Sequence, residues 1–143
     1  MVRVMASGVF DIIHTGHIFY LEQAKAMGDE LVVVVATDNT VRRRKHEPIT
    51  PASMRLKIVG SLKPVDEAKM GKEGDIFAIL CEIRPDIIAL GYDQDFDESE
   101  LRRQLAEKGF DIQVKRAAPC GDDLTGTRRI VKKILEEHGS CGK

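Results

Sequence analysis

Residues 8–17 read GVFDIIHTGH, which sets His14 and His17 three positions apart with Gly16 between them. Two imidazoles at this spacing could chelate a metal ion, or they could point two hydrogen-bond donors at one anion. Chelation needs a third ligand and usually a carboxylate or thiolate at a recognisable spacing, and none accompanies the pair. An anion needs a backbone that also faces it. A loop running from a strand straight into a helix supplies unpaired N–H groups and the positive end of the helix dipole. Gly8 and Gly16 let that loop come close to a ligand. Donors so placed suit a phosphate whose charge grows during a reaction. The plain alternative makes the two histidines surface or capping residues.

For this arrangement to exist, a strand must end before Gly8 and a helix must begin near His17. The apolar pattern provides both: a short strand over residues 2–6, then Ile18, Leu21 and Ala24 at helical spacing over 17–27, stopped at Gly28. Residues 30–37 form a continuous β-branched run, the pattern of a strand covered on both faces, and 85–90 (PDIIAL) is a shorter one. Thr50 and Pro51 open a helix with Ile58, Val59 and Leu62 as its apolar stripe, ended by Pro64. A short strand over 65–70, a helix over 75–83, a charged amphipathic helix over 97–107 stopped near Gly109, and a strand over 111–115 follow. The last helix, 125–138, turns Ile130, Val131, Ile134 and Leu135 inward. Alternation of β and α about five times predicts an α/β fold: a doubly wound parallel five-stranded sheet, Rossmann-like, in one domain over 1–143. Ligands of such sheets bind beyond the carboxyl ends of the strands, where Gly8 to His17 leaves the first one.

The chain has 143 residues, 43% hydrophobic and 31% charged, which is ample for a core. Its net charge of −1 gives no global field for nucleic acid, so any anion site must be local. No apolar run is long enough to span a bilayer, and the first residues lack a secretory layout, so the protein is expected in the cytoplasm, off the membrane. Cys81, inside IFAILCEI, is expected to be a buried thiol. Cys120 and Cys141 flank the last helix and are expected to stay free thiols, because a helix of that length separates them by roughly 20 Å.

Four further places carry chemistry. Arg55 shares the face of Ile58, Val59 and Leu62, so it should point inward, where a cation requires an anion. Asp93 lies just beyond Gly91 at the end of a buried strand, where it could bond a ribose or base, or simply form a turn. Thr125 and Thr127 stand at the start of the last helix, as caps or as a second phosphate cradle. The basic run 42–45 is by itself an ordinary solvated face.

Taken together, GVFDIIHTGH, RRRKHEPITPASMR with Arg44, Lys45 and Arg55, GYDQ at 91–94 and LTGTRRI at 124–130 resemble, in order, the motifs of the cytidylyltransferase-like nucleotidylyltransferases. Val9 replaces the threonine of the usual GTFD, and TGT replaces a serine/threonine triplet. The resemblance implies in-line attack of a phosphate monoester on the α-phosphorus of a nucleoside triphosphate, with pyrophosphate leaving and no covalent enzyme intermediate. It assigns His14, His17, Lys45 and Arg55 to catalysis. Nucleotide binding falls to Gly8, Val9, Phe10, Asp11, Thr15, Gly16, Gly91, Asp93, Arg116, Thr125 and Thr127, with the two histidines. Mg²⁺ or another divalent cation bridges the phosphates, and no protein metal site is implied.

GYDQDFDESEL and the cysteine-bearing C-terminal region look like the archaeal-type FAD synthases, which implies ATP and FMN as substrates and a homodimer. A chain of this length leaves no room for a riboflavin kinase domain, so the flavin should arrive phosphorylated. Phe10, Tyr92 and Phe96 are the candidates to stack on it, with a core position equally expected for Phe10. The alternative acceptors are glycerol 3-phosphate or a sugar (heptose) phosphate, with cytidylyl or adenylyl transfer. A regulatory nucleotide-binding domain without turnover is a third reading, opposed by the presence of both histidines, Lys45 and Arg55. No GxGxxG accompanies the first strand, so a dinucleotide-reducing enzyme is poorly supported.

Overall fold

The computed structural model describes residues 1–44, 47–73, 76–92, 94, 97–119 and 127–138. Five strands, β1 (Arg3–Gly8), β2 (Glu30–Val35), β3 (Glu67–Met70), β4 (Ile87–Leu90) and β5 (Gln113–Arg116), lie parallel in the order β3-β2-β1-β4-β5. Six helices accompany them: α1 (Thr15–Ala26), α2 (Asp38–Arg44), α3 (Ala52–Gly60), α4 (Ile76–Ile83), α5 (Glu98–Glu107) and α6 (Thr127–His138). The chain winds outward from β1 to β3, returns to β4 on the other side of β1, and ends at β5. The order of strands therefore reverses between β1 and β4, the position at which open α/β sheets in general form their ligand crevice.

Alternate residues of each strand feed opposite cores, as a pleat with period two requires. Val4, Ala6, Leu31, Val33, Val35 and Ala89 pack with Leu21 and Ala24 of α1 and Val59 of α3. Met5, Val32, Val34, Ile88, Leu90 and Val114 pack with Ile79, Leu80 and Ile83 of α4 and Leu101 and Leu105 of α5. Both faces of the sheet are thus covered, and the unbroken ELVVVV run of β2 is the sequence trace of that double burial.

Four sequence expectations change. Arg42 to Arg44 belong to α2, a helix absent from the periodicity reading; Thr37 Oγ1 caps it by accepting the Thr40 N–H at 3.1 Å, a TDNT signal legible in the sequence. Ile58 is exposed, and the inward residues of α3 are Arg55 and Val59. Cys81 is exposed as well, because Ile79, Leu80 and Ile83 set the buried face of α4 and Cys81 falls on the opposite one. On α6, Ile134 and Leu135 are 51% and 63% exposed rather than inward. Periodicity specifies which residues share a face, but not whether anything covers it. Cys120 and Cys141 lie outside the described residues. No helix among those described is long and apolar enough to cross a membrane.

Candidate active site

The loop from β1 to α1 is tightly wound. Phe10 and Ile12 both adopt left-handed backbone, with φ of 57° and 54°, a conformation uncommon for side chains of this kind and found where surrounding structure over-determines it. The reason lies in Phe10. Its ring is buried, and it lies over Gly8 so closely that a Cβ on Gly8 would be 3.0 Å from Cε2. The same ring meets His17 at 5.4 Å between centroids. Phe10 is therefore a core residue that supports the loop from below, the second of the two places expected for its ring.

His14 is the N-cap of α1, with extended backbone. Its Nδ1 accepts the Gly16 N–H at 3.1 Å, and the His17 Nδ1 accepts the His14 N–H at 3.2 Å. The two rings lie 3.8 Å apart, 32° from parallel. A nitrogen that accepts a backbone N–H must carry a lone pair, so in this arrangement each neutral imidazole has its proton on Nε2. The cap thus fixes two tautomers together and leaves each ring with an Nε2–H donor at the positive end of α1. Thr15 is the exposed first residue of that helix, and the Gly16 N–H is engaged by His14.

Arg55 is completely buried, and its charge faces an anion as the sequence predicts, but the anion is protein. Nη2 bonds Asp38 Oδ1 at 2.6 Å, Nη1 donates to the carbonyls of Val9 (2.7 Å) and Ala36 (2.9 Å), and Nε donates to the Thr50 carbonyl (3.0 Å). With these acceptors surrounding a guanidinium that has no exposure, Arg55 holds three loops of the site together. Val9 contributes its carbonyl to this cluster. The ion pair holds the Asp38 carboxyl below its usual range, chiefly through the Arg55 hydrogen bond.

Asp11, also buried, accepts from the Ile49 N–H (2.7 Å), the Thr50 N–H (2.9 Å) and Thr50 Oγ1 (2.6 Å). Burial alone would raise its pKa; the hydrogen bonds from the Thr50 side chain and the Ile49 and Thr50 backbone, with the nearby Arg55, outweigh it and leave the group lowered. Asp11 therefore ties the segment entering α3 to the histidine loop. Asp38 and Thr50 were missed from the sequence. An inward arginine demands a carboxylate, and the short list of acids at the ends of β1 and β2 was the signal that could have found Asp38.

Across the crevice, the end of β4 is clamped too. Arg116 Nε bonds Glu98 Oε1 at 2.6 Å, while Nη1 donates to the carbonyls of Gly91 (2.8 Å) and Gln94 (3.0 Å). Gly91 is buried, with its N–H donating to Gln94 Oε1 at 2.7 Å, so Gly91 and Arg116 shape the wall of the crevice through each other. Tyr92 stands exposed at the same edge. Lys45, Asp93, Phe96 and Thr125 lie outside the described residues, and Thr127 opens α6. Among the described residues, no three His, Cys, Asp or Glu form a group that could hold a metal ion.

A family model described as cytidylyltransferase-like matches residues 5–137. The chain is 52% identical over 137 residues to the FAD synthase of Aciduliprofundum boonei, covering 95% of this chain and 92% of that one. It is 51% identical over 136 residues to the FAD synthase of Thermoplasma acidophilum, covering 95% and 96%. In structure it resembles the lipopolysaccharide core biosynthesis protein from Thermoplasma volcanium GSS1, with a TM-score of 0.83 and 49% identity over 84% of this chain and 98% of that one.

Proposed function

From the premise that this chain belongs to the cytidylyltransferase-like family, we infer that it is an FMN adenylyltransferase, transferring AMP from ATP to FMN to give FAD and pyrophosphate. Near-full-length identity of about one half to FAD synthases supports the acceptor and the donor. The observation that carries the chemistry is the histidine cap: two Nε2–H donors held by their own backbone at the start of α1, beside the reversal point of the sheet.

In the reaction, a phosphate oxygen of FMN attacks the α-phosphorus of ATP, a new P–O bond forms, and the bond to the β-phosphate bridging oxygen breaks. Pyrophosphate carries off the displaced electron pair. His14 and His17 donate to the α- and β-phosphate oxygens, where negative charge increases as that bond lengthens. The dipole of α1 acts in the same direction. Gly8 and Gly16 keep the loop close to the phosphates, Lys45 neutralises phosphate charge, Thr125 and Thr127 form a second phosphate cradle, and Asp93 bonds the ribose or base. Asp11, Arg55 and Asp38 fix the loops, and Tyr92 offers its ring to the flavin.

The divalent cation enters as part of the substrate, Mg–ATP. The working form is a cytoplasmic homodimer; exposed Ile134 and Leu135 give it an apolar surface to cover, and light scattering of the purified chain tests it.

Incubation with Mg²⁺ and, in turn, FMN plus ATP, FMN plus CTP, riboflavin plus ATP, and glycerol 3-phosphate plus CTP tests the assignment. FAD from the first mixture alone is expected. A cytidylylated glycerol product without any flavin product would transfer the activity to the alternative acceptors.

A further inference from the structure

β1 and β4 part company early. Their pairing ends at Ala6↔Ala89, although β1 remains paired with β2 through Gly8↔Val35 and β4 with β5 through Leu90↔Arg116. Neither strand has ended, so the gap between them is a fork. Continuing the register by one residue would set Ser7 opposite Leu90. In a parallel ladder that rung would consist of Ser7 N–H donating to the Ala89 carbonyl and Gly91 N–H donating to the Ser7 carbonyl.

Both bonds of this rung exist in lengthened form, each with a side chain inserted. Ser7 N–H donates to the Tyr20 hydroxyl at 3.2 Å, and that hydroxyl donates to the Ala89 carbonyl at 2.6 Å. Gly91 N–H donates to Gln94 Oε1 at 2.7 Å, and Gln94 Nε2 donates to the Ser7 carbonyl at 2.8 Å. Four backbone groups that separation of the strands would orphan are satisfied, which removes the cost of opening the sheet here. Tyr20 comes from α1 and Gln94 from the loop after β4, so two independent elements meet on one residue, Ser7. Burial pushes the Tyr20 phenol pKa up and keeps it a hydroxyl, able to accept and donate at once.

We propose that Tyr20 and Gln94 are positioning residues that wedge apart the last β1/β4 rung and so set the width of the crevice that receives the nucleoside of ATP. The inference rests on the adenylyl-transfer reading for the identity of the nucleotide. Without either insertion the strands can close to an ordinary rung and the crevice narrows. Both residues therefore act on nucleotide affinity, with the reacting phosphates left to the histidines.

The test uses the full chain with Tyr20→Phe, which deletes the bridging hydroxyl, and Gln94→Glu, which keeps the acceptor for Gly91 N–H but has no donor for the Ser7 carbonyl. Titration with Mg–ATP should give a Kd weakened by about tenfold in each, the scale of one buried hydrogen bond. kcat at saturating substrates and KM for FMN should stay within about threefold. The double variant should be little weaker than either single one, because the rung closes once. A purely structural role would lower the melting temperature and leave ATP affinity of the folded protein unmoved. If Tyr20→Phe does not fold, Gln94→Glu reads the same rung from its other side. Folded variants with an ATP Kd within twofold of wild type overturn the proposal, as does strict additivity. The titration needs no flavin: a wild-type chain that binds ATP and makes no FAD refutes adenylyl transfer alone, whereas FAD synthesis with unaltered ATP affinity in both variants refutes the wedge alone.

Discussion

The Nδ1 of His17 accepts the backbone N–H of His14 at 3.2 Å while the Nδ1 of His14 accepts that of Gly16, so the two imidazoles fix one another through the main chain. Replacing either by Ala removes one Nε2–H donor and one cap bond. Turnover in FAD synthesis should fall about 10²- to 10³-fold per site, as for other single oxyanion donors. The lost cap should cost only about 1 kcal/mol of stability. Near-normal kcat in both variants would remove the pair from the chemistry.

Arg55→Met keeps the bulk of the side chain and strips Asp38 and the Val9, Ala36 and Thr50 carbonyls of their donor. A loss of about 3–5 kcal/mol in urea denaturation is expected, as for other broken buried ion pairs. Arg55→Lys should recover little of it, because an ammonium cannot reach acceptors spread around a planar fork. Wild-type stability in Arg55→Met would contradict this network.

Asp11 and Asp38 both have lowered carboxyl pKa values in the fold. The unfolded chain, with aspartates near about 3.9, binds more protons than the folded one at acid pH. Their contribution is therefore fully present above the unfolded value and is lost as pH falls through the lower, folded values. Asp38→Asn should be less stable at neutral pH and show a flatter decline of stability below about pH 4. Equal slopes for the two proteins in acid titration of unfolding would show that Asp38 is not a linked group.

Two glycine substitutions should separate site from scaffold. A Cβ at Gly8 would meet the Phe10 ring at 3.0 Å, and that ring backs His17; one at Gly28 would meet the Val2 carbonyl at 2.8 Å, at the opposite end of the sheet. Gly8→Ala should reduce kcat in protein that still folds. Gly28→Ala should destabilise by about 1–3 kcal/mol, as overpacking does, with kcat of the folded fraction retained. The reverse pattern would disprove the support of His17 by Phe10.

Removal of divalent cation with a chelator should abolish FAD formation without changing the far-ultraviolet circular dichroism, and Mg²⁺ should restore it. Cation that arrives with ATP has no part in folding. Loss of helical signal on chelation would instead point to a resident metal.

What the amino-acid order determined was local. The β-branched runs, the glycines and the stop signals are enough for the five strands and for every helix except α2, because pleat and helix periods are written within a few residues. The step from strand to His14 and His17 is legible for the same reason: strand end, loop and cap are contiguous. Only tertiary structure decided the partners of Asp11, Arg55, Arg116, Tyr20 and Gln94. Asp11 bonds a segment 39 residues away, and Gln94 reaches Ser7 across 87 residues. Those bonds depend on which strands are neighbours and on their register, and a shift of one residue would send every donor to a different carbonyl. The fate of Ile134 and Leu135 has the same cause: an amphipathic pattern defines an apolar face, but whether that face is covered depends on what the completed fold brings against it.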